Sequence, residues 1–354
     1  MPAAIDWALA ERVAVRTAKT DDFARSYHYD SLAPDFAELT RTAEEQVAEA
    51  TGLHSLAGPA RARVTDRAGW VRGNIKSFQR LLRPVSDKLG ERMTGPMAPV
   101  ARRIAGAEVG AMLGWMSSRV LGQYDLLVIE EEDPEEQDLV SYVGPNILAL
   151  EKRYAFPPRE FRLWLALHEV THRAQFTGVP WMREHFLGLV TSTVESIDTD
   201  PKAFLDNIAR AAAEVRKGRN PLDEGGLVAV FASPAQREVL ERVSGLMSLL
   251  EGHGDITMDR AGAADIPNAG RFAQVLRQRR QQLNPAIRLL TKLIGLEAKM
   301  KQYEEGERFI EAVERAGGEH ILDVAWERAE NLPTLAEIRD PQAWLARVRP
   351  PLPV

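Results

Sequence analysis

Two histidines and a glutamate stand in this sequence at a spacing that can hold a metal ion. The pentapeptide HEVTH places His168 and His172 four residues apart, with Glu169 directly after the first histidine. Residues four apart on a helix lie one turn apart on the same face, so both imidazoles can ligate one ion. Glu169 is offset by about 100°, which suits a carboxylate that reaches the water on the metal rather than the metal itself. The motif predicts a zinc site with Glu169 as general base, against the alternative of two structural histidines.

The segment around this motif carries the sequence signals of one long helix. The prolines at 157–158 suit a first helical turn, and Gly178 followed by Pro180 suits the end of a helix. The apolar residues 165–167 precede the motif, so the helix is predicted to turn a mostly uncharged surface inward. The charged Arg173 departs from this pattern directly after the second histidine.

The third metal ligand has two candidate segments, because a catalytic zinc site takes three protein ligands and leaves a fourth position open. Glu184 and His185 are close to the motif, but they follow Pro180, and the direction of the element that begins there does not follow from the sequence. The other segment, EGHGD at residues 251–255, lies at the end of a predicted amphipathic helix.

Helical phase favours Glu251 within this second segment. At about 100° per residue, Glu251 and His253 fall on opposite edges of the apolar stripe, whereas Asp255 lies one turn beyond Glu251 on the same edge. Asp255 can then accept the N–H of a ligating histidine and fix its tautomer. Gly252 and Gly254 are expected to let the two metal helices approach each other; the alternative is a helix C-terminus with glycine caps and a solvated acidic edge. We predict Glu251 as the third ligand, with Asp255 behind a histidine and His253 as the reserve ligand.

The composition limits the chemistry and the partners. The chain has no cysteine, so disulfides and thiolate metal sites are excluded and any metal must be held by His, Asp or Glu. Its 354 residues, 45% of them hydrophobic, describe a globular protein with a sizeable core. Since 45 basic residues face 51 acidic ones, for a net charge of -6, neither nucleic acid nor an anionic membrane is expected as a partner.

Charges within the apolar stretches predict a cytoplasmic protein. Asp6 and Glu11 interrupt the apolar spacing near the N-terminus, which argues against a secretory signal. The most apolar stretch, residues 104–121, contains Glu108 and Arg119, which argues against a membrane span.

Helical periodicity dominates the sequence, so the predicted fold class is mainly α with a small β-sheet (α+β). The N-terminal third is predicted as amphipathic helices, and glycines at 106, 110 and 114 predict a close helix–helix contact. Residues 126–130 and 139–147 are rich in β-formers, so one or two short hairpins are expected as the only sheet. The predicted regions are an N-terminal helical region (1–100), a metal-binding core (101–265) and a C-terminal helical region (266–354), packed as one unit.

Three further functional interpretations belong to this central part of the sequence. The strand-forming stretch 140–147 is expected to bind an extended peptide by edge pairing. Tyr124, Tyr142 and His253 are candidate oxyanion donors, although a structural role is favoured for each of them on the sequence. The acidic segment 130–138 is interpreted as a solvated hairpin tip, with a cation-binding loop as the alternative.

Longer stretches of the sequence resemble one family. VLGQYD (120–125), HEVTHRAQFTGVPW (168–181) and LEGHGDITMD (250–259) look like the zincin-like hydrolases associated with coenzyme F420 biosynthesis. The tail pieces KMKQYEEGERF (299–309) and ENLPTLAEIRDPQAWLARV (330–348) are similar to that family too, and the HExxH motif with a downstream Glu-x-x-x-Asp resembles the gluzincin metallopeptidases. The resemblance implies a zincin-like fold with extra helices at both ends and carries His168, Glu169 and His172 over directly. The F420 association implies that genes of this family occur near genes of F420 biosynthesis, and it does not imply F420 as a cofactor.

The expected function is a zinc-dependent hydrolase, most simply a peptidase. His168, His172 and Glu251 would hold Zn²⁺, which lowers the pKa of water toward roughly 7, while Glu169 takes the proton and passes it to the leaving amine. The substrate is expected to be a peptide or a small amide. The alternative is a helical scaffold or binding protein, metal-stabilised or metal-free, without catalysis. The oligomeric state stays open.

Overall fold

The structure is a computed structural model that describes residues 4–18, 22–93, 95–126, 138–195, 234–281, 296–318 and 320–348. The chain divides into two compact units. The first unit comprises Met1–Gly178 and Thr257–Phe272, and the second comprises Val179–Ile256 and Ala273–Val354. The regions predicted from the sequence (1–100, 101–265 and 266–354) stay a prediction, which this division does not test.

The first unit is built from helices around a small sheet. Its helices before residue 179 are α1 (Trp7–Thr17), α2 (Tyr27–Asp30), α3 (Leu32–Thr51), α4 (Arg67–Leu81), α5 (Arg83–Arg92), α6 (Ala98–Ser117), α7 (Gly144–Tyr154) and α8 (Pro158–Gly178). Its strands are β1 (Arg61–Thr65), β2 (Gly122–Tyr124) and β3 (Leu139–Val143). The predicted fold class, mainly α with a small sheet, is confirmed.

The central strand of this sheet is shorter and more enclosed than the sequence predicts. β3 pairs with β1 in parallel and with β2 in antiparallel orientation, and all five of its residues are buried. The chain enters α7 at Gly144, with Pro145 in the first turn, where proline is favoured. Ile147 is therefore helical. The prediction that residues 140–147 bind a peptide by edge pairing is wrong, because β3 is hydrogen-bonded along both sides.

The strand β1 comes from the N-terminal third, which the sequence pattern predicts as helical. Arg61 lies opposite Leu139 and Thr65 opposite Val143, so a long crossover through α4, α5 and α6 joins two parallel neighbours. Of the predicted strand 126–130, only Leu126 lies within the described residues, where it forms a turn. The acidic segment 130–138 lies outside them except for Asp138.

The glycines of α6 pack against α1, as predicted. A Cβ would lie 2.6 Å from the backbone oxygen of Ala14 at Gly114 and 2.4 Å from that of Ala10 at Gly110. At Gly106 it would lie 2.4 Å from the backbone oxygen of Asp6, the residue before α1. Side chains beside this crossing form the core that joins α1, α4 and α6. The buried members of that core are Trp7, Ala10, Ala14, Ala18, Trp70, Val71, Ile75, Leu113 and Val143.

The second unit is helical within the described residues. Its helices are α9 (Met182–Glu195), most of α10 (Pro234–Ala261), most of α11 (Ala269–Gln281), α12 (Leu296–Gly317), α13 (Asp323–Glu327), α14 (Leu335–Arg339) and α15 (Pro341–Val348). Its core centres on Phe309 and Trp344, whose rings meet edge to face at 5.3 Å. None of the helices in the described part of the chain has both the length and the apolar character needed to cross a bilayer.

Candidate metal centre

The helix α8 presents the two histidines of the motif on one face. The rings of His168 and His172 lie with their centroids 4.7 Å apart and nearly perpendicular, at 83°. Both side chains are half-buried, and Glu169 beside them is buried. The helix runs unbroken from Pro158 to Gly178, as predicted, so one rigid element sets the positions of all three side chains.

A glutamine one turn further along α8 contacts the second histidine. The Nδ1 atom of His172 lies 3.0 Å from Oε1 of Gln175, whose side chain is fully buried. Gln175 lies outside the HExxH motif. Its signal was available, since residues three apart on a helix share a face, and Gln175 stands at that distance from a predicted ligand.

The strand β2 passes directly against the carboxylate of Glu169. A Cβ at Gly122 would lie 2.6 Å from Oε1 of Glu169 and 2.7 Å from its Cγ, which is closer than real Cβ contacts occur. Only glycine therefore allows β2 and Glu169 to keep their positions. A glycine in a strand commonly marks such a close approach.

The two tyrosines predicted as oxyanion donors have different surroundings. Tyr142 is fully buried, stacks on Phe36 at 3.8 Å and shares a 2.9 Å hydrogen bond with Thr40. Burial raises the pKa of Tyr142, and the nearby Glu169 carboxylate raises it further. This placement gives Tyr142 a role in packing α3 on the sheet. Tyr124 is half-buried and stacks on Phe176 at 6.3 Å, and its role as a donor stays a prediction.

The helix α10 carries the residues of the second predicted segment and continues past them to Ala261, so the prediction that this segment ends the helix is wrong. Glu251 and His253 are buried and Asp255 is half-buried. The ring of His253 lies 5.1 Å from that of Trp326. A Cβ at Gly252 would collide with the backbone of Gly306 on α12. The close approach at Gly252 is therefore made to α12, which corrects the prediction that this glycine admits the other metal helix.

One group of histidine and acidic side chains in the described part of the chain has the geometry of a metal site. It consists of His168, His172 and Glu251, each of which offers one ligand atom, and these atoms all lie within 4.8 Å of one another. Two imidazole nitrogens and one carboxylate oxygen are a donor set of catalytic zinc sites, in which the fourth position stays open. The residues present therefore suit zinc.

The nearer candidates for the third ligand are not part of that group. Glu184 and His185 lie in the first turn of α9, and the backbone N–H of His185 donates to Trp181. Burial lowers the pKa of His185, and Arg242 lowers it further.

The charged residue after the second histidine is buried and is held by ion pairs with two half-buried carboxylates. The Arg173 side chain is 1% exposed and donates through Nε and Nη2 to the Asp138 carboxylate, at 2.9 and 2.5 Å. Its Nη1 donates to Glu44 at 2.6 Å, and Nη2 also donates to the carbonyl oxygen of Gly58 at 2.7 Å. Because Arg173 lies about 100° around the helix from His172, its charge points away from the metal ligands.

Comparison with known proteins places the chain in a family. The model of the zincin-like metallopeptidase family matches residues 5–345. The fold is similar to the crystal structure of "a putative hydrolase with a novel fold" from Chloroflexus aurantiacus, with 29% sequence identity and a TM-score of 0.70 over 97% of this chain and 98% of that one. No curated protein matches. The chain, with its HExxH helix and its His and Glu group, belongs to the zincin-like metallopeptidase family.

Proposed function

We propose that this protein is a zinc-dependent hydrolase that cleaves an amide bond, most simply in a peptide. The observation that carries the proposal is the gathering of ligand atoms from His168, His172 and Glu251 within 4.8 Å, with Glu169 next to the first histidine on the same helix. Membership of a metallopeptidase family supports the same chemistry.

The position of each side chain determines its role in the proposed site. Zinc, when bound by His168, His172 and Glu251, supplies a Lewis acid and lowers the pKa of water. Glu169 is the general base, which accepts a proton from water on its carboxylate and passes it to the leaving amine. Gly122 leaves the space that this carboxylate occupies. Asp255 and the reserve ligand His253 stay predictions for the surroundings of the metal.

The edge strand β2 favours an extended peptide as substrate. Within the described sheet, β2 is an outer strand, and its Gly122 touches Glu169. An extended chain that pairs with β2 would bring its amide bonds beside the general base, as sheet-edge recognition does elsewhere. β2 thus takes the role that the sequence pattern assigns to residues 140–147. A small amide is the alternative substrate on the same chemistry.

Two features of the proposal rest on the sequence alone. A cytoplasmic location is predicted from the charges near the N-terminus, and an association with F420 biosynthesis is predicted from the family resemblance. Neither implies that F420 binds to this chain.

The decisive experiment separates metal binding from chemistry. Purified wild type should hold about one zinc per chain and cleave members of a peptide library. Glu169→Gln should keep the zinc and lose hydrolysis by a factor on the order of 100 to 10,000, because an amide cannot accept the proton. His172→Ala is the matched control, since it should lose the zinc and the hydrolysis together.

The contradicting outcomes are distinct. Full turnover by Glu169→Gln would remove the general base from the mechanism, and zinc loss in that variant would make Glu169 a ligand. A wild type that takes up no zinc when zinc is supplied would establish the scaffold instead.

The third ligand is tested by the order of three substitutions on α10. Glu251→Ala should weaken zinc binding most, because it removes a ligand. Asp255→Ala should weaken zinc binding by about 10- to 100-fold, as for a residue that orients a ligating histidine. His253→Ala should have the smallest effect, because the His253 ring packs on Trp326. If His253→Ala proved the most damaging and Glu251→Ala harmless, the site would contain three histidines.

A further inference from the structure

We infer that Gln175 is a positioning residue that holds His172 in the tautomer and ring orientation needed for metal binding. The inference rests on the proposed function in one respect, namely that His172 is a zinc ligand. It adds a residue that neither the HExxH motif nor the family model assigns.

The contact between His172 and Gln175 has the geometry of a hydrogen bond. Nδ1 of His172 lies 3.0 Å from Oε1 of Gln175, a normal hydrogen-bond length. Both residues belong to α8 and are separated by three positions, so the helix itself sets their distance. The contact therefore does not depend on the placement of any other element.

The chemistry of the two groups determines the tautomer of His172. A carboxamide oxygen only accepts hydrogen bonds, so a neutral imidazole that faces it must carry its hydrogen on Nδ1. The lone pair is then on Nε2, which is the nitrogen available to a metal. A histidine ligand commonly donates its other ring N–H to a carbonyl or carboxylate, and this bond fixes the ring and raises its basicity.

The two side chains differ in burial. The side chain of Gln175 is 0% exposed, whereas His172 is half-buried. Leaving a polar group unsatisfied in the interior costs free energy, so a buried glutamine is held to its hydrogen-bond partners. Gln175 is thus the fixed member of the pair, and His172 is the member that it orients.

The test combines zinc affinity with direct observation of the tautomer. Three variants are made on α8, namely Gln175→Leu, Gln175→Glu and Thr171→Val. Gln175→Leu keeps the approximate size and removes the acceptor, while Gln175→Glu keeps an acceptor. Thr171→Val is the matched control, because Thr171 is also fully buried on α8 but its hydroxyl donates to the backbone oxygen of Leu167.

Zinc affinity is measured by adding a zinc salt to the metal-free protein in competition with a chelator. Gln175→Leu should bind zinc about 10- to 100-fold more weakly than wild type. Gln175→Glu should bind at least as tightly as wild type, and Thr171→Val should bind like wild type. Unchanged zinc affinity in Gln175→Leu would overturn the inference, as would an equal loss in Thr171→Val.

The tautomer is read from the nitrogen chemical shifts of the histidine rings in metal-free protein at about pH 9, where an ordinary imidazole is neutral. His172 should carry its hydrogen on Nδ1 in wild type and lose this preference in Gln175→Leu. A hydrogen on Nε2 in wild type would overturn the inference without any reference to activity.

These readouts keep the inference separate from the proposed function. Zinc binding that depends on Gln175, in a protein that cleaves no peptide, would refute the hydrolase and leave the inference standing. If Gln175→Leu cleaves peptides as fast as wild type at limiting zinc, the hydrolase would stand and the inference about Gln175 would be refuted. A wild type that takes up no zinc would overturn both.

Discussion

Polar side chains lie on two edges of the helix α8, and their partners differ between the two edges. One edge carries Arg162 and Arg173, which are three turns apart and therefore about 20° apart around the axis. Each is almost fully buried and each is paired with two carboxylates of the protein. The other edge carries the two histidines of the motif, whose donor atoms gather with one from Glu251.

The arginine edge is complete within the protein. Arg162 donates to both carboxylate oxygens of Glu151, at 2.7 and 2.9 Å, and to Asp35. Arg173 makes the same kind of double contact with Asp138 and a single one with Glu44. On the proposed function the histidine edge is completed by a metal instead. On the proposed function, the arginine edge of α8 therefore serves stability and the histidine edge serves metal binding.

The largest expected effect is the loss of stability when an arginine of the arginine edge is replaced. Arg173→Met should lower the free energy of unfolding by up to about 3–5 kcal/mol, because it leaves the half-buried Asp138 and Glu44 carboxylates without their cation. Arg162→Met should have an effect of the same order through Glu151. Urea denaturation of the metal-free proteins measures both. The zinc content of the folded variants should stay at the wild-type level, and zinc loss without destabilisation would break the separation of the two edges.

The next effect is on the chemistry of Glu169, the general base of the proposed site. Gly122→Ala should lower peptide hydrolysis by a factor on the order of 100, because the new methyl group displaces the Glu169 carboxylate. Zinc content should not change. Gly73→Ala is the matched control, since a Cβ at Gly73 on α4 meets nothing within 4 Å and the substitution should leave hydrolysis intact. Wild-type hydrolysis in Gly122→Ala would show that Glu169 has room to move.

The smallest effect concerns a neutral contact on α3, the helix that supplies Asp35 and Glu44. Thr40→Val should lower the free energy of unfolding by about 1 kcal/mol, because it leaves the buried hydroxyl of Tyr142 without its 2.9 Å partner. Thermal and urea unfolding measure the change. A loss as large as that of Arg173→Met would mean that charge is not what distinguishes the arginine edge.

The sequence predicts best what is local along the chain. The helix of the HExxH motif follows from prolines, a glycine and a four-residue spacing, all within one segment, and the structure has it from Pro158 to Gly178. The glycines of α6 are predicted correctly for the same reason. Glu251 is more remote, but its phase within one helix is again a local property.

The sequence predicts poorly what depends on distant partners. Nothing in the residues of β1 shows that they pair with β3 across three intervening helices. The positive charge of Arg173 is visible in the sequence, but its two carboxylate partners come from α3 and from Asp138, the residue before β3. The end of β3 was predictable from local residues. Pro145 indicates the first turn of a helix, but the run of β-formers up to Ile147 favours a longer strand than the structure has.

The contact between Gly252 and Gly306 has a consequence for anyone who engineers this protein. The backbones of α10 and α12 meet at these two residues, and a Cβ on either would strike the main chain of the other helix. Position 252 follows Glu251 directly, so a mutational library that varies the neighbours of Glu251 to retune metal preference should lose almost every member that changes residue 252.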